Sequence, residues 1–391
     1  MPNFLAKNLK DIKLPVSFDG VEFLWEAKNA DEKLIYTKAL NCEFCLVVKR
    51  SGDKFVIKCD KLSRPARLDA IQIALEAYKQ VFATDIISQA TAVKKPKNIN
   101  SSEYIISSDE LIDKIDGYDN VFVEIGFGSG RHLLYQAKSN PNTLIIGIEV
   151  YKPACMQVDN LARLNGLKNI LLLNLDARLV MSLLRSNSID RLFLHFPVPW
   201  QKSKMRRVVS DQFAMECKRI LKDGGKFELR SDDREYADYT IGCFMDLKKA
   251  NIEIYKNRFL EVSSKYEDRW IRQNKDIYDV ICSFYGSSDE LSLECEFDFS
   301  KPNLEQIRSN FTNQTIKNSD HFIHLERIYH LLDGGILLRV AFGSFYRPEH
   351  RYLLITNDSI SYLFKKPLLT IENIKAHKNL EGMLNASHCR S

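Results

Sequence analysis

Three groups of residues in this chain could carry chemistry: a glycine-rich turn, two acids placed after it, and a loop of prolines, aromatics and cations. The turn is Glu124-Ile-Gly126-Phe-Gly128-Ser-Gly130, preceded by an apolar, β-branched run at 121–125 that predicts a buried strand. Residues 131–138 then predict the start of a helix. Glycines at alternate positions remove side chains where a strand must turn sharply, and they let a ligand lie against bare backbone. An open α/β sheet makes a nucleotide site in this way, at the carboxyl end of its first strand. The dinucleotide fingerprint wants its third glycine three places after the second, and that position is Arg131. Glu149 closes the next predicted strand, 23 positions after Gly126, where a carboxylate can accept both hydroxyls of a ribose. Asp176 closes the third and is placed to accept an adenine amino group. Either acid alone would serve equally as a helix cap. Together, at successive strand ends after the turn, they favour a nucleotide.

The third group follows the fourth predicted strand: His195-Phe-Pro-Val-Pro-Trp200-Gln-Lys202-Ser-Lys204-Met-Arg206-Arg207. Two prolines and a tryptophan stiffen the loop, and four cations follow within seven positions. An aromatic platform with cations beside it suits a looped-out base and its phosphates; the plainer alternative is a basic turn that caps a helix. His195 reads as a packed strand-end histidine. His321, His324 and His330 form no convincing metal set, and the nine cysteines are scattered, with Cys42 and Cys45 as the one close pair. Buried thiols are the simpler reading.

The elements that must position these groups divide the chain into three parts. At 391 residues it exceeds one ordinary domain. Residues 1–90 predict an α+β unit of short strands and a covering helix over 68–82. The segment 91–108, with Lys94-Lys-Pro-Lys97, reads as a linker. Residues 109–285 alternate strand and helix. Strands are expected at 121–125, 144–149, 170–175, 191–196 and 225–231, with a final pair near 254–262 and 277–284 that lacks an obvious helix between them. Residues 286–391 predict a β-rich unit with a hairpin around Asp333-Gly-Gly335, an aromatic and basic stretch at 342–352, and a poorly ordered tail beyond Lys375. No apolar run approaches a membrane span, and the amino terminus lacks the apolar core of a signal peptide, so a cytoplasmic protein is expected. The net charge of +5 is too modest to identify nucleic acid as a partner by itself.

The pattern acid-x-Gly-x-Gly-x-Gly resembles the first motif of class I S-adenosylmethionine-dependent methyltransferases, which have a Rossmann-like seven-stranded sheet. Adding Gly147-Ile-Glu149, Phe196-Pro-x-Pro-Trp200-x-Lys202, Arg206-Arg207, Arg230-Ser-Asp232 and Ser264-Lys-Tyr-Glu267, the segment 120–284 is similar to the bacterial tRNA guanine-N7 methyltransferase family. The resemblance implies that Glu124, Glu149 and Asp176 with the three glycines hold S-adenosyl-L-methionine. It also implies that Lys202, Asp232 and the segment from Ser264 to Glu267 meet the substrate, a guanine in the tRNA variable loop. Trp200, Arg206 and Arg207 extend that surface. Two departures stand out: the family usually has Asp between the two prolines, where this chain has Val198, and the basic run is about two residues shorter and lacks the family's histidine. Guanine N7 carries a lone pair and no proton, so its methylation requires no general base and no metal. Asp232 and Glu267 are therefore the acids expected to do the catalytic work, by accepting the guanine N1–H and amino hydrogens and by opposing the developing positive charge. The rivals are a class I enzyme with another acceptor and a tRNA-binding homologue without turnover.

Overall fold

The alternation expected from residue 109 onward is realised as a seven-stranded sheet within one of two compact units, residues 99–292. The computed structural model describes residues 2–65, 67–91, 102–108 and 110–385; the lysines at 94–97, most of the expected linker and Arg390 lie outside them. In this unit a short helix, α1 (Leu111–Ile115), leads into β1 (Asn120–Ile125), α2 (Arg131–Ser139), β2 (Thr143–Ile148), α3 (Lys152–Leu164), β3 (Ile170–Leu173), α4 (Ala177–Leu183) and β4 (Ile189–His195). Then come α5 (Asp211–Ile220), β5 (Leu221–Ser231), α6 (Arg234–Met245), β6 (Ala250–Lys256), α7 (Lys265–Arg272) and β7 (Tyr278–Phe284). The strand order is β3-β2-β1-β4-β5-β7-β6, with β7 antiparallel to both neighbours. All six residues of β2 are buried, as expected of a parallel strand covered on both faces. The order reverses between β1 and β4, so the glycine turn after β1 and the proline loop after β4 open at the same switch point.

The final pair of strands differs from expectation. β6 ends at Lys256 rather than near 262, because Asn257 adopts a left-handed φ of 56° and its side-chain carbonyl accepts the Ile277 N–H at 2.8 Å. A helix, α7, does separate β6 from β7. Ser264 is its cap and accepts the Glu267 N–H at 3.0 Å, half of a Ser-x-x-Glu capping box.

The other unit combines residues 1–98 with 293–391. The sequence suggests an amino-terminal part, 1–90, and a separate carboxy-terminal part, 286–391, but strands from both lie in one 12-stranded sheet. The expected strands and helix of the first part appear at Val21–Lys28, Glu32–Ala39, Cys42–Ser51, Lys54–Cys59 and Leu68–Phe82. In the second, the expected hairpin pairs Phe322–Leu331 with Ile336–Gly343, and Pro348–Ile355 adds a further strand. The halves meet where Phe322–Leu331 runs antiparallel to Val21–Lys28, through His330↔Lys28 and Leu331↔Ala27. Arg327 reaches Glu32 at 2.6 Å, and the Tyr329 hydroxyl donates to the same carboxylate at 2.7 Å. Beneath the junction, Ala27, Leu34, Tyr36, Tyr329, Leu337 and Tyr352 form one buried cluster. Val16–Phe18 covers one end of Val21–Lys28 and Gln314–Lys317 one end of Phe322–Leu331, and this pairing closes the other end of each. The tail is ordered further than expected: Ile371–Asn385 is a helix, anchored by buried Ala376, His377 and Leu380.

Candidate active site

The glycine turn is built from residues that only glycine suits. Gly126, Gly128 and Gly130 have φ of 70°, 51° and 74°, all left-handed. A side chain at Gly130 would also collide with Val158 of α3, whose Cγ2 lies 2.4 Å from where a Cβ would sit. At Gly126 a Cβ would meet nothing within 4 Å, so the backbone there faces open space. Glu149, just past β2, stands across the turn: its Oε2 accepts the Gly128 N–H at 3.2 Å and its Oε1 the Tyr151 N–H at 2.9 Å. These bonds fix the carboxylate and leave lone pairs for a ribose. Exposed Val150 and Tyr151 put apolar surface beside it, a feature the sequence reading missed. Open backbone, a fixed carboxylate and this surface fit the nucleoside end of S-adenosylmethionine.

Glu124 and Asp176 have partners of their own. Glu124, buried within β1, meets His132 Nδ1 at 2.9 Å, and His132 Nε2 lies 3.0 Å from the Gln136 amide. This contact ties the strand to the helix that follows the turn. His195 sets its ring, tilted, 4.5 Å from that of His132, and burial pushes its imidazole well below the ordinary range. Glu124, His132 and His195 bring ligand-type atoms within 4.8 Å of one another, but both nitrogens of His132 are already engaged. Asp176 caps α4 through the Arg178 N–H at 3.0 Å and grips the Arg178 guanidinium, with Oδ2 at 2.6 Å from Nη2. Burial acts to raise its pKa, but the bonds from Arg178 prevail and hold the carboxyl below its ordinary value.

The four cations after Trp200 separate into different roles. Arg207 is 2% exposed; its Nε donates to the Pro199 carbonyl at 2.8 Å, and its guanidinium lies 5.0 Å from the rings of both Tyr236 and Tyr239. Expected on the substrate surface, it instead pins the loop to α6 from within. Lys204 pairs with Glu235 at 2.8 Å. Arg206 stacks 5.0 Å over Trp200, and Lys202 is exposed. Phe196 and Trp200 both take left-handed φ, 49° and 44°. The loop is held at its base by Phe196 N–H to the Arg230 carbonyl (2.7 Å) and at its tip by Gln201 to Asp233 (3.0 Å). Val198 is exposed.

Beside β5, a cleft of about 610 Å³ is lined by Arg230, Arg258, Phe259, Glu267, Ile271 and Lys275, among others. Glu267, 4% exposed, accepts from Arg230 Nη2 at 2.6 Å through Oε1. The other arm of Arg230, Nη1, donates to both oxygens of Asp279, at 2.6 and 2.8 Å. Burial raises the Asp279 carboxyl above its ordinary range even with this guanidinium against it. Asp232 meets Lys275 at 2.9 Å, which brings it to the rim of the same cleft. Phe259 is 87% exposed at the mouth. Arg131, directly after the glycine turn, reaches Asp268 of α7 at 2.6 Å and so links the turn to the cleft. The sequence reading assigned no role to Arg230. A charged residue in each of two apolar strands, Arg230 and Asp279, signals that each needs a partner but does not say which.

Known proteins resemble this chain along most of its length. A family model described as "Putative methyltransferase" matches residues 118–280. The chain is 58% identical to the tRNA (guanine-N(7)-)-methyltransferase of Campylobacter fetus subsp. fetus (strain 82-40), covering 99% of this chain and 100% of that one. It is 46% identical to the protein of that name from Campylobacter jejuni subsp. jejuni (strain 81-176), with 98% of each covered. For the one from Wolinella succinogenes the identity is 34%, over 98% of this chain and all of that one. The alignments run through both flanking segments as well as the core. The chain belongs to the tRNA (guanine-N(7)-)-methyltransferase family.

Proposed function

We propose that this chain methylates N7 of a guanine in the tRNA variable loop, position 46, with S-adenosylmethionine as donor. The observation that carries the reading is Glu267: a buried carboxylate, oriented by Arg230, in a cleft tied to the glycine turn through Arg131 and Asp268. S-adenosylmethionine supplies an electrophilic methyl group on a sulfonium, and the guanine N7 lone pair forms the new C–N bond as the S–C bond breaks. The chain must hold the base in line and exclude water. Glu267 and Asp232 each have one oxygen committed, to Arg230 and Lys275 respectively. The other oxygen of each is offered to the guanine N1–H and amino hydrogens, which adenine lacks in that pattern. Their charge also opposes the positive charge that builds on the base. Trp200 with Arg206 on its face, and Lys202 beside it, serve the surrounding nucleotides. The eight described cysteines are free thiols, in keeping with a cytoplasmic setting. No described helix is long and apolar enough to cross a membrane.

Val198, where the family usually carries Asp, is the feature that favours a binding-only homologue. Incubation with labelled S-adenosylmethionine and unmodified tRNA, followed by cleavage at N7-methylguanine, separates the readings. We expect one variable-loop site, and a rate at least about 10-fold lower for Asp232→Ala. No transfer with donor and tRNA both bound would sink the enzymatic reading. Wild-type transfer by Asp232→Ala would remove Asp232 from the acceptor site.

A further inference from the structure

The charge of this protein is unevenly placed. Residues 99–292, which hold the active site, have 27 Lys and Arg against 28 Asp and Glu. The flanking unit has 29 against 23 and so carries all of the molecule's positive excess. A polyanionic substrate is drawn to such an excess. Within that unit a cavity of about 470 Å³ is assembled from four segments, 41–43 and 62–65 of the amino-terminal half and 350–352 with 363–365 of the carboxy-terminal half.

Its lining combines cations, an aromatic ring and a tyrosine hydroxyl. Arg64 and Lys365 are exposed cations with no ion pair among the described residues. The acid on the wall, Glu43, is already answered by Lys38 at 2.8 Å and by the Tyr36 hydroxyl at 2.5 Å. His350 and Arg351, also in the lining, face Glu326 and Glu349. Phe364 supplies an aromatic wall. It stacks on Tyr36 with ring centroids 5.7 Å apart, and Tyr36 stacks on Trp25 at 4.8 Å. Its φ of 74° is one that a bulky residue rarely adopts, and such residues cluster at ligand clamps. Tyr352, 1% exposed and part of the lining, has a buried hydroxyl with no hydrogen-bond partner among the described residues. Free cations, a braced ring and an unanswered hydroxyl together match a base with its phosphates.

We infer that this cavity is a second tRNA contact, holding one nucleotide with Phe364 against the base and Arg64 and Lys365 on the flanking phosphates. The inference rests on tRNA being the substrate. It gives the two ends of the chain a joint task, because neither half forms the cavity alone.

The test uses the full-length chain and reads tRNA binding across a salt series. The charge reversal Arg64→Glu with Lys365→Glu is compared with Lys10→Glu with Lys13→Glu, an equal change at exposed lysines of the same unit outside the cavity. We expect the first pair to weaken binding and flatten the log–log salt slope by about 1.4, for two lost phosphate contacts. We expect the second pair to leave the slope near wild type, and donor affinity to be unchanged in both. Phe364→Ala should weaken tRNA binding about 10-fold while keeping that slope. Equal slopes for the two pairs would overturn the inference. So would a cavity variant that loses affinity for free GMP yet keeps it for tRNA, since the site would then take a free nucleotide. Binding is read rather than turnover, so failure here beside intact N7 transfer counts against this site only. Absent transfer with the expected slope change counts against the reading of the active site only.

Discussion

A guanidinium buried to 2% exposure must have its charge answered inside the protein, and Arg230 is answered twice, by Asp279 and by Glu267. The first pairing anchors it in the sheet; the second aims an acid into the cleft beside β5. Removing one partner of a buried ion pair leaves a stranded charge, at a cost of about 3–5 kcal/mol. Arg230→Ala should therefore lower stability by that amount in denaturant unfolding, with methyl transfer falling in the fraction that stays folded; a loss below about 1 kcal/mol would show that the fork is not structural. This residue marks the limit of what the sequence disclosed. Glu124, Glu149, Asp176, Asp232 and Glu267 were all legible as types at strand ends or in motifs. Their partners were not, because His132, Arg178, Lys275 and Arg230 acquire meaning only from side-chain directions in three dimensions. The same blindness placed Arg207 outside, when two tyrosines of α6 had drawn it in.

At the scale of elements, strands with strong apolar character were found to within a few residues, while those ended by a single polar residue were misjudged. β6 was set too late because the run Ile-Glu-Ile-Tyr suggests continuation, and the left-handed turn at Asn257 is a backbone event with little sequence signal. The helix α7 was available in the letters Ser264-x-x-Glu267, but Glu267 departs from the usual box by turning to Arg230 instead of back to the cap. With the box half closed, Ser264 alone sets where the helix begins and so where Glu267 projects. Ser264→Ala should cost about 1 kcal/mol in unfolding. It should also raise KM for tRNA with little change in donor affinity, which separate titrations would resolve. An unchanged KM would mean that Arg230 alone suffices to place the acid.

At the scale of the whole molecule, the flanking segments were each legible as β-rich, but their union was not, since no periodicity reports that two strands about 300 residues apart will pair. Dropping residues 1–90 should therefore do more than trim a tRNA contact. It bares the Leu331 end of Phe322–Leu331 and one side of the cluster around Tyr329 and Tyr352. Hydrogen exchange should show 314–363 unprotected in the shortened chain, while 120–284 keeps its protection and binds donor. Protection of 314–363 at its full-length level would show that the carboxy-terminal strands fold alone.

The register His330↔Lys28 also bears on how the protein is made. On the ribosome the first strands emerge long before their partner, and the whole seven-stranded sheet is synthesised in between. The inserted unit has its own core and nearly local strand pairs, so it is free to fold during that wait. The 12-stranded sheet cannot close until more than 330 residues have been made, leaving the Lys28 end of Val21–Lys28 as an open edge in the nascent chain. The completed 12-stranded sheet is thus a late event in biogenesis, and the step at which a nascent-chain chaperone would matter most.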